Sequence, residues 1–283
     1  MKLVLGDNQF FGVNHANISK GAETRMLFDT TEKIKSFILD ALACGLDGFM
    51  INSNETGFRL VDEFDFSRLD SRCHFSVPYP HKYAGVVNDA GIIALVSLVM
   101  RQLRWSDVWS AVKFLLTFNA KHLLPVIVQM EIPKSLPMGS VVYLQNVVTD
   151  LTMGLRNGDK LLSAYIRCIQ KMGYTPGLIT LNLGTLYAML ASEFGSENIV
   201  VCFNVNKSGF NVFPSVKAVE NNIQVIKDQT RWELMGMSIF SSGSEGVSIA
   251  ESVDYIKSLP LDYVVFGSSK LKNIKANINS FHA

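Results

Sequence analysis

The chain has 283 residues, 48% of them hydrophobic, with 26 basic and 25 acidic residues and a formal net charge of +1. That is enough apolar material for one large core or two modest ones, and the charge balance leaves no global field to steer the protein toward nucleic acid or an anionic membrane. The longest apolar stretch, 92–100, is too short to span a bilayer, and the amino terminus lacks the apolar run and cleavage site of a signal peptide. Cys44, Cys73, Cys168 and Cys202 form no CxxC pair and no metal-ligand spacing, so a cytoplasmic chain without a metal is the expectation.

In chain order, short β-rich runs alternate with amphipathic helical stretches, the pattern of parallel α/β folds. Eight runs read as strands: 2–5, 48–51, 74–77, 125–130, 177–181, 199–203, 234–239 and 263–266. Thr31 reads as the cap of a helix to Ala43, Gly195 ends a later helix, and Pro214 suits the first turn of another. Eight strands with eight crossovers predict an α/β fold, a (β/α)8 TIM barrel in which 1–283 is a single domain. The excess length is expected after strands three and four, as a helical hairpin over about 83–120 and an irregular or partly helical insertion over about 135–158. Such excursions lie on the catalytic face of a barrel, where they suit a lid or a contact that builds a homo-oligomer; the hairpin's apolar residues would equally serve to cover the barrel wall.

Inward-pointing residues at the carboxyl ends of barrel strands build the active site, so parity along each strand is a filter. It selects Gln129 and Glu131 from strand four, Asn204 and Asn206 from strand six, Asn182 from strand five, Asn52 from strand two and Ser238 from strand seven. Polar groups this deep in apolar strands would be unsatisfied if they faced the helix layer. They are expected to converge on the interior mouth, either as a substrate site or as a polar plug around buried water. Glu131 is the carboxylate of that set; enclosure would raise its pKa toward proton-transfer use, and an ion pair with Lys134 or Lys207 would equally leave it without a chemical role. Lys207, just past strand six, suits a solvated loop position, phosphate or carboxylate binding or, less naturally for its parity, a Schiff base. His15, His74 and His81, with Asp7 and Glu55, fall near the ends of strands one to three, where they offer a general base or a metal ligand or, with no HxH or HxxxH spacing, serve as hydrogen-bonded loop and core histidines; His81 is taken as a catalytic candidate beside Glu131 and Lys207.

The last fifty residues twice repeat an apolar strand, a Gly/Ser turn and a helix start. The first turn holds Ser241, Ser242 and Gly243, the second Gly267, Ser268, Ser269 and Lys270. Helix N-termini leave backbone N–H groups unpaired at the positive end of the dipole, so small residues there admit a phosphate. In a (β/α)8 barrel the loops after strands seven and eight are where that site usually sits.

On these residues the second half of the chain resembles the aldo-keto reductase superfamily, over roughly its last 120 residues. The helix from 159 to 173 leading into Leu178, Ile179, Thr180, Leu181, Asn182 and Leu183 is similar to the family's fourth helix and the strand after it. The resemblance implies that Asn182, with Asn204 near it, holds a nicotinamide carboxamide. It also implies that the runs 238–243 and 266–278 bind the phosphates of NADP. The family's catalytic Asp, Tyr, Lys and His fall here on Asn52, Phe58 or a neighbour, Pro78, and Glu131 or Met130, so the resemblance supports the barrel and a phosphate-bearing ligand better than it supports reductase activity. The leading expectation is an enzyme for a phosphorylated or nucleotide-linked small molecule, a sugar for example, doing isomerase, epimerase or lyase chemistry. An NAD(P)-dependent oxidoreductase with a relocated proton donor, and a catalytically inactive barrel serving as a binding or assembly subunit, are the alternatives.

Overall fold

The computed structural model describes residues 1–12, 24, 26–65, 73–78, 128–241 and 246–283. Parallel strands β1 (Lys2–Leu5), β2 (Gly48–Asn52), β3 (His74–Val77), β4 (Val141–Leu144), β5 (Thr175–Thr180), β6 (Val200–Asn204), β7 (Glu233–Met237) and β8 (Tyr263–Phe266) close into a barrel in chain order. β1 pairs with both β2 and β8, so the sheet has no edge. A 3-10 turn, η1 (Asn8–Phe11), follows β1. The described helices are α1 (Thr31–Ala43), α2 (Glu55–Glu63), α3 (Asn146–Met153), α4 (Gly158–Lys171), α5 (Leu183–Phe194), α6 (Val216–Gln229), α7 (Ile249–Lys257) and α8 (Leu271–His282).

Alternation along each strand divides the apolar residues into two cores. Val4, Tyr143, Ile179, Cys202, Met235 and Val265 pack with one another inside the barrel. Their strand neighbours Leu3, Leu5, Val142, Leu144, Val201 and Phe203 face outward and join the helix stripes, such as Ile34, Ile38 and Ala41 of α1. Helix packing is pinned at polar points: Tyr165 on α4 donates to Val142 O at 2.5 Å, and the buried Trp232 ring donates to Phe194 O at 2.9 Å.

The fourth strand is not where the sequence pattern puts it. Val128 to Met130 form a helical turn, and the strand is Val141–Leu144, whose residues pair with β3 on one side and β5 on the other. A short apolar run does not by itself distinguish a strand from a buried helical segment; pairing partners on both sides decide it. The segment expected as an irregular insertion, 135–158, therefore contains β4 and α3, and the long excursion lies entirely between β3 and β4. The expected hairpin over 83–120 lies outside the described residues. Smaller corrections concern caps. Thr30, not Thr31, caps α1 through a bond from Lys33 N at 3.3 Å, and Pro214 precedes the cap of α6, Ser215, rather than entering its first turn. Gly195 ends α5 as expected. Among the described residues no helix is long and apolar enough to cross a membrane.

Candidate functional site

The carboxyl ends of β1 to β4 bring together a cluster of four polar side chains. Asp7 stands one residue past Gly6 beyond β1 and is buried, with 6% of its surface exposed. Asn52 ends β2 on the inward parity set by Met50, and its register partner on β3 is Ser76. Gln145 follows β4 on the parity of the inward Tyr143. Asn52 donates its backbone N–H to Asp7 Oδ2 at 2.8 Å, and its amide Nδ2 reaches Oδ1 at 2.9 Å and Oδ2 at 2.8 Å. On the other side of that amide, Asn52 Oδ1 accepts from Ser76 Oγ at 3.0 Å and from Gln145 Nε2, which also donates to Ser76 Oγ.

Burial raises the Asp7 pKa to about 6, and this outweighs the Asn52 hydrogen bonds, which favour the charged form. The result is a carboxyl group that gains and loses a proton close to neutral pH at the catalytic end of a barrel. Local backbone geometry keeps Asn52 in place. A Cβ at Gly57 would lie 1.9 Å from Asn52 O, so only glycine lets α2 begin this close to the end of β2.

The other residues selected by parity have individual surroundings. Gln129 is half-buried on the helical turn ahead of β4, and Glu131, almost fully buried, accepts from Ser53 Oγ at 2.7 Å. Neither belongs to a strand, because the strand assigned to them lies further on. Asn182 caps α5, accepting from Thr185 N at 3.2 Å. Asn204 on β6 donates to Asn211 O at 2.9 Å. Asn206 closes the following loop, donating to Phe210 O and accepting from Phe210 N, both at 2.9 Å. Asn52 is thus the member of the expected set that meets a carboxylate, while Asn204 and Asn206 hold the rim after β6. Lys207, half-exposed, pairs with Glu251 at 3.1 Å. His81 lies outside the described residues.

The two carboxyl-terminal loops differ. α7 starts with a complete capping box, in which Ser248 accepts from Glu251 N and Glu251 accepts from Ser248 N, and Lys207 adds its charge to that same Glu251. These bonds, the Ser248 ones foremost, hold the Glu251 pKa down at about 2, so the chain's own carboxylate occupies the start of this helix. In loop seven Ser241 is buried, 2.7 Å from Ser208 Oγ; Ser242 and Gly243 lie outside the described residues. α8 has no such seal: its cap position is Lys270 and no side chain caps the helix. Ahead of it Gly267 is exposed against Gln9, Ser269 is half-buried, and Ser268 Oγ accepts from Lys270 N at 3.2 Å.

Below the cluster the barrel interior is also polar. His74 Nδ1 lies 2.8 Å from Tyr143 Oη with the rings stacked, and Tyr263 Oη donates to Glu233 at 3.4 Å. Among the described residues no group of three or more His, Cys, Asp or Glu is placed to hold a metal.

No protein-family model matches the sequence, and neither does any curated protein. Solved structures do match in shape. A Pseudomonas aeruginosa protein provisionally named an aldo-keto reductase superposes with a TM-score of 0.59 at 12% identity, over 99% of this chain and 89% of its own. A D-allulose 3-epimerase from a Methylomonas species superposes with a TM-score of 0.50 at 10% identity, over 100% of this chain and 96% of its own. The likeness is one of fold. The chain is a (β/α)8 barrel, and at these identities its chemistry has to be argued from its own residues.

Sequence reading named Asp7 as a candidate base and missed Ser76 and Gln145. The signal for Gln145 was the apolar run 141–144 directly before it, bounded by Gly139 and Ser140.

Proposed function

We propose that this protein is an enzyme of proton-transfer type, isomerising, epimerising or cleaving a hydroxylated, carbonyl-bearing small molecule such as a sugar. Asp7 acts as its acid and base. The observation that carries the reading is the buried Asp7 carboxyl, with a pKa near 6, at the strand ends. A base is most effective when its pKa lies near the working pH, and within the cluster of Asp7, Asn52, Ser76 and Gln145 only Asp7 takes and returns a proton. The role moves from Glu131 to Asp7 because Glu131 is engaged with Ser53 and precedes the true fourth strand. A phosphate on the ligand would sit at Gly267, Ser268, Ser269 and Lys270, where the start of α8 carries no side-chain cap.

The test has two stages. A thermal-shift panel of sugar phosphates, nucleotide sugars, NAD(H) and NADP(H) identifies what the folded state binds. Each binder is then incubated with the protein in D2O, and deuterium entry beside its carbonyl is followed by NMR. Exchange that falls about 100-fold or more in Asp7→Asn, and survives in Glu131→Gln, is the expected outcome. Exchange that persists in Asp7→Asn overturns the assignment. Turnover of a nicotinamide cofactor in place of exchange moves the protein to the oxidoreductases.

A further inference from the structure

We infer that Gln145 is a positioning residue for Asp7: with Ser76 it locks the Asn52 side chain so that its amide N–H groups face the Asp7 carboxylate. Turnover consequences rest on the role proposed above for Asp7; the lock itself does not. With Asp7 ionised, the hydrogen counting leaves one arrangement. Gln145 Nε2 has two hydrogens and serves two acceptors, Asn52 Oδ1 and Ser76 Oγ. Ser76 has one hydroxyl hydrogen and gives it to Asn52 Oδ1 at 3.0 Å. Asn52 Oδ1 is thereby held as an acceptor by two donors, and Nδ2 has to turn the other way, onto both oxygens of Asp7.

If the amide turned over, its carbonyl oxygen would face the Asp7 carboxylate, and two donors would face Nδ2. Every donor therefore points along one line, from Gln145 toward Asp7. None of the three side chains that make up this line, from β2, β3 and the residue after β4, ionises, so the line works through orientation and not through charge. Gln145 Oε1 takes no hydrogen bond among the described residues, which leaves it as an acceptor for a ligand hydroxyl.

Donors on a carboxylate favour its charged form, so weakening the lock should move Asp7 toward the protonated form. The experiment follows the Asp7 side-chain carboxyl carbon by 13C NMR between pH 3 and 9, the resonance being assigned by its loss in Asp7→Asn. Gln145→Met keeps the length and removes the N–H donors. We expect the Asp7 midpoint to rise by roughly half a unit or more in that variant, and by a smaller step in Ser76→Ala. A midpoint unchanged in folded Gln145→Met overturns the inference, since a merely structural glutamine would alter the melting temperature and leave the titration alone. Should Gln145→Met fail to fold, Ser76→Ala, which removes a single hydroxyl, gives the same readout with the same two meanings. The titration needs no substrate, so it separates this inference from the proposed reaction: Asp7 can be held this way even if Asp7→Asn leaves catalysis intact.

Discussion

Asn52 directs both its backbone N–H and its side-chain amide at one carboxylate, that of Asp7, at 2.8 to 2.9 Å. Burial still dominates, and the folded pKa stands at about 6 against 3.8 for an ordinary aspartate. The unfolded chain gives up this proton at the lower pH while the folded protein keeps it, so between those values the folded state binds more protons. Stability falls as pH rises through the window from about 4 to about 6 and is level above it, the whole change being roughly 3 kcal/mol. Asp7→Asn should remove that slope, read as melting temperature against pH, while the slopes from other groups remain. A slope unchanged in Asp7→Asn would mean that Asp7 titrates like a solvated aspartate.

Gly177 on β5 is the space into which Tyr143 fits. A Cβ there would lie 2.5 Å from the Tyr143 ring, on the inner face of the barrel. Gly177→Ala has to push that ring, and with it the 2.8 Å contact to His74. We expect a loss of about 1–3 kcal/mol from overpacking, measured by urea denaturation. A loss below a few tenths would show that the interior yields.

The start of α7 is capped from within the chain. Ser248→Ala should cost about 1 kcal/mol as an N-cap deletion. It should also let the Glu251 pKa climb part of the way from about 2, since the hydroxyl bond is lost while the backbone N–H of residue 248, the larger contributor, still donates. Because that pKa is depressed in the folded state, the associated stability is present above about 4.5 and is lost as pH falls toward 2. In Ser248→Ala the acid loss over that window should shrink, which chemical denaturation at pH 2, 3, 4 and 5 would show.

The four cysteines divide by burial. Cys73 and Cys202 are buried, and burial alone pushes both thiols well above the ordinary range, so neither offers a thiolate at neutral pH. Cys44 and Cys168 are partly exposed. Iodoacetamide on the native protein, read by peptide mass, should mark Cys44 and Cys168 and spare Cys73 and Cys202 until denaturant is added. Early labelling of Cys202 would mean that the barrel interior opens.

Strands one to three and five to eight were legible because each is a short β-rich run bounded by turn residues, and alternating helices between them implied parallel pairing. Strand four was not, because 125–130 and 141–144 are both apolar runs of strand length, and the second is the one that pairs with β3 and β5. That one displacement carried Gln129 and Glu131 into the expected site and left Gln145 out of it.

Periodicity and the count of crossovers were enough to read the barrel from the residues alone, and Asp7 and Asn52 stood out as polar groups near strand ends. Tertiary structure decided that these two meet, that Ser76 and Gln145 stand behind them, and that Asn182, Asn206 and Lys207 are engaged in their own caps, loops and ion pairs. The reason is physical. Periodicity records which face of an element is apolar, whereas a carboxylate's pKa and an amide's orientation depend on burial and on donors contributed from distant parts of the chain.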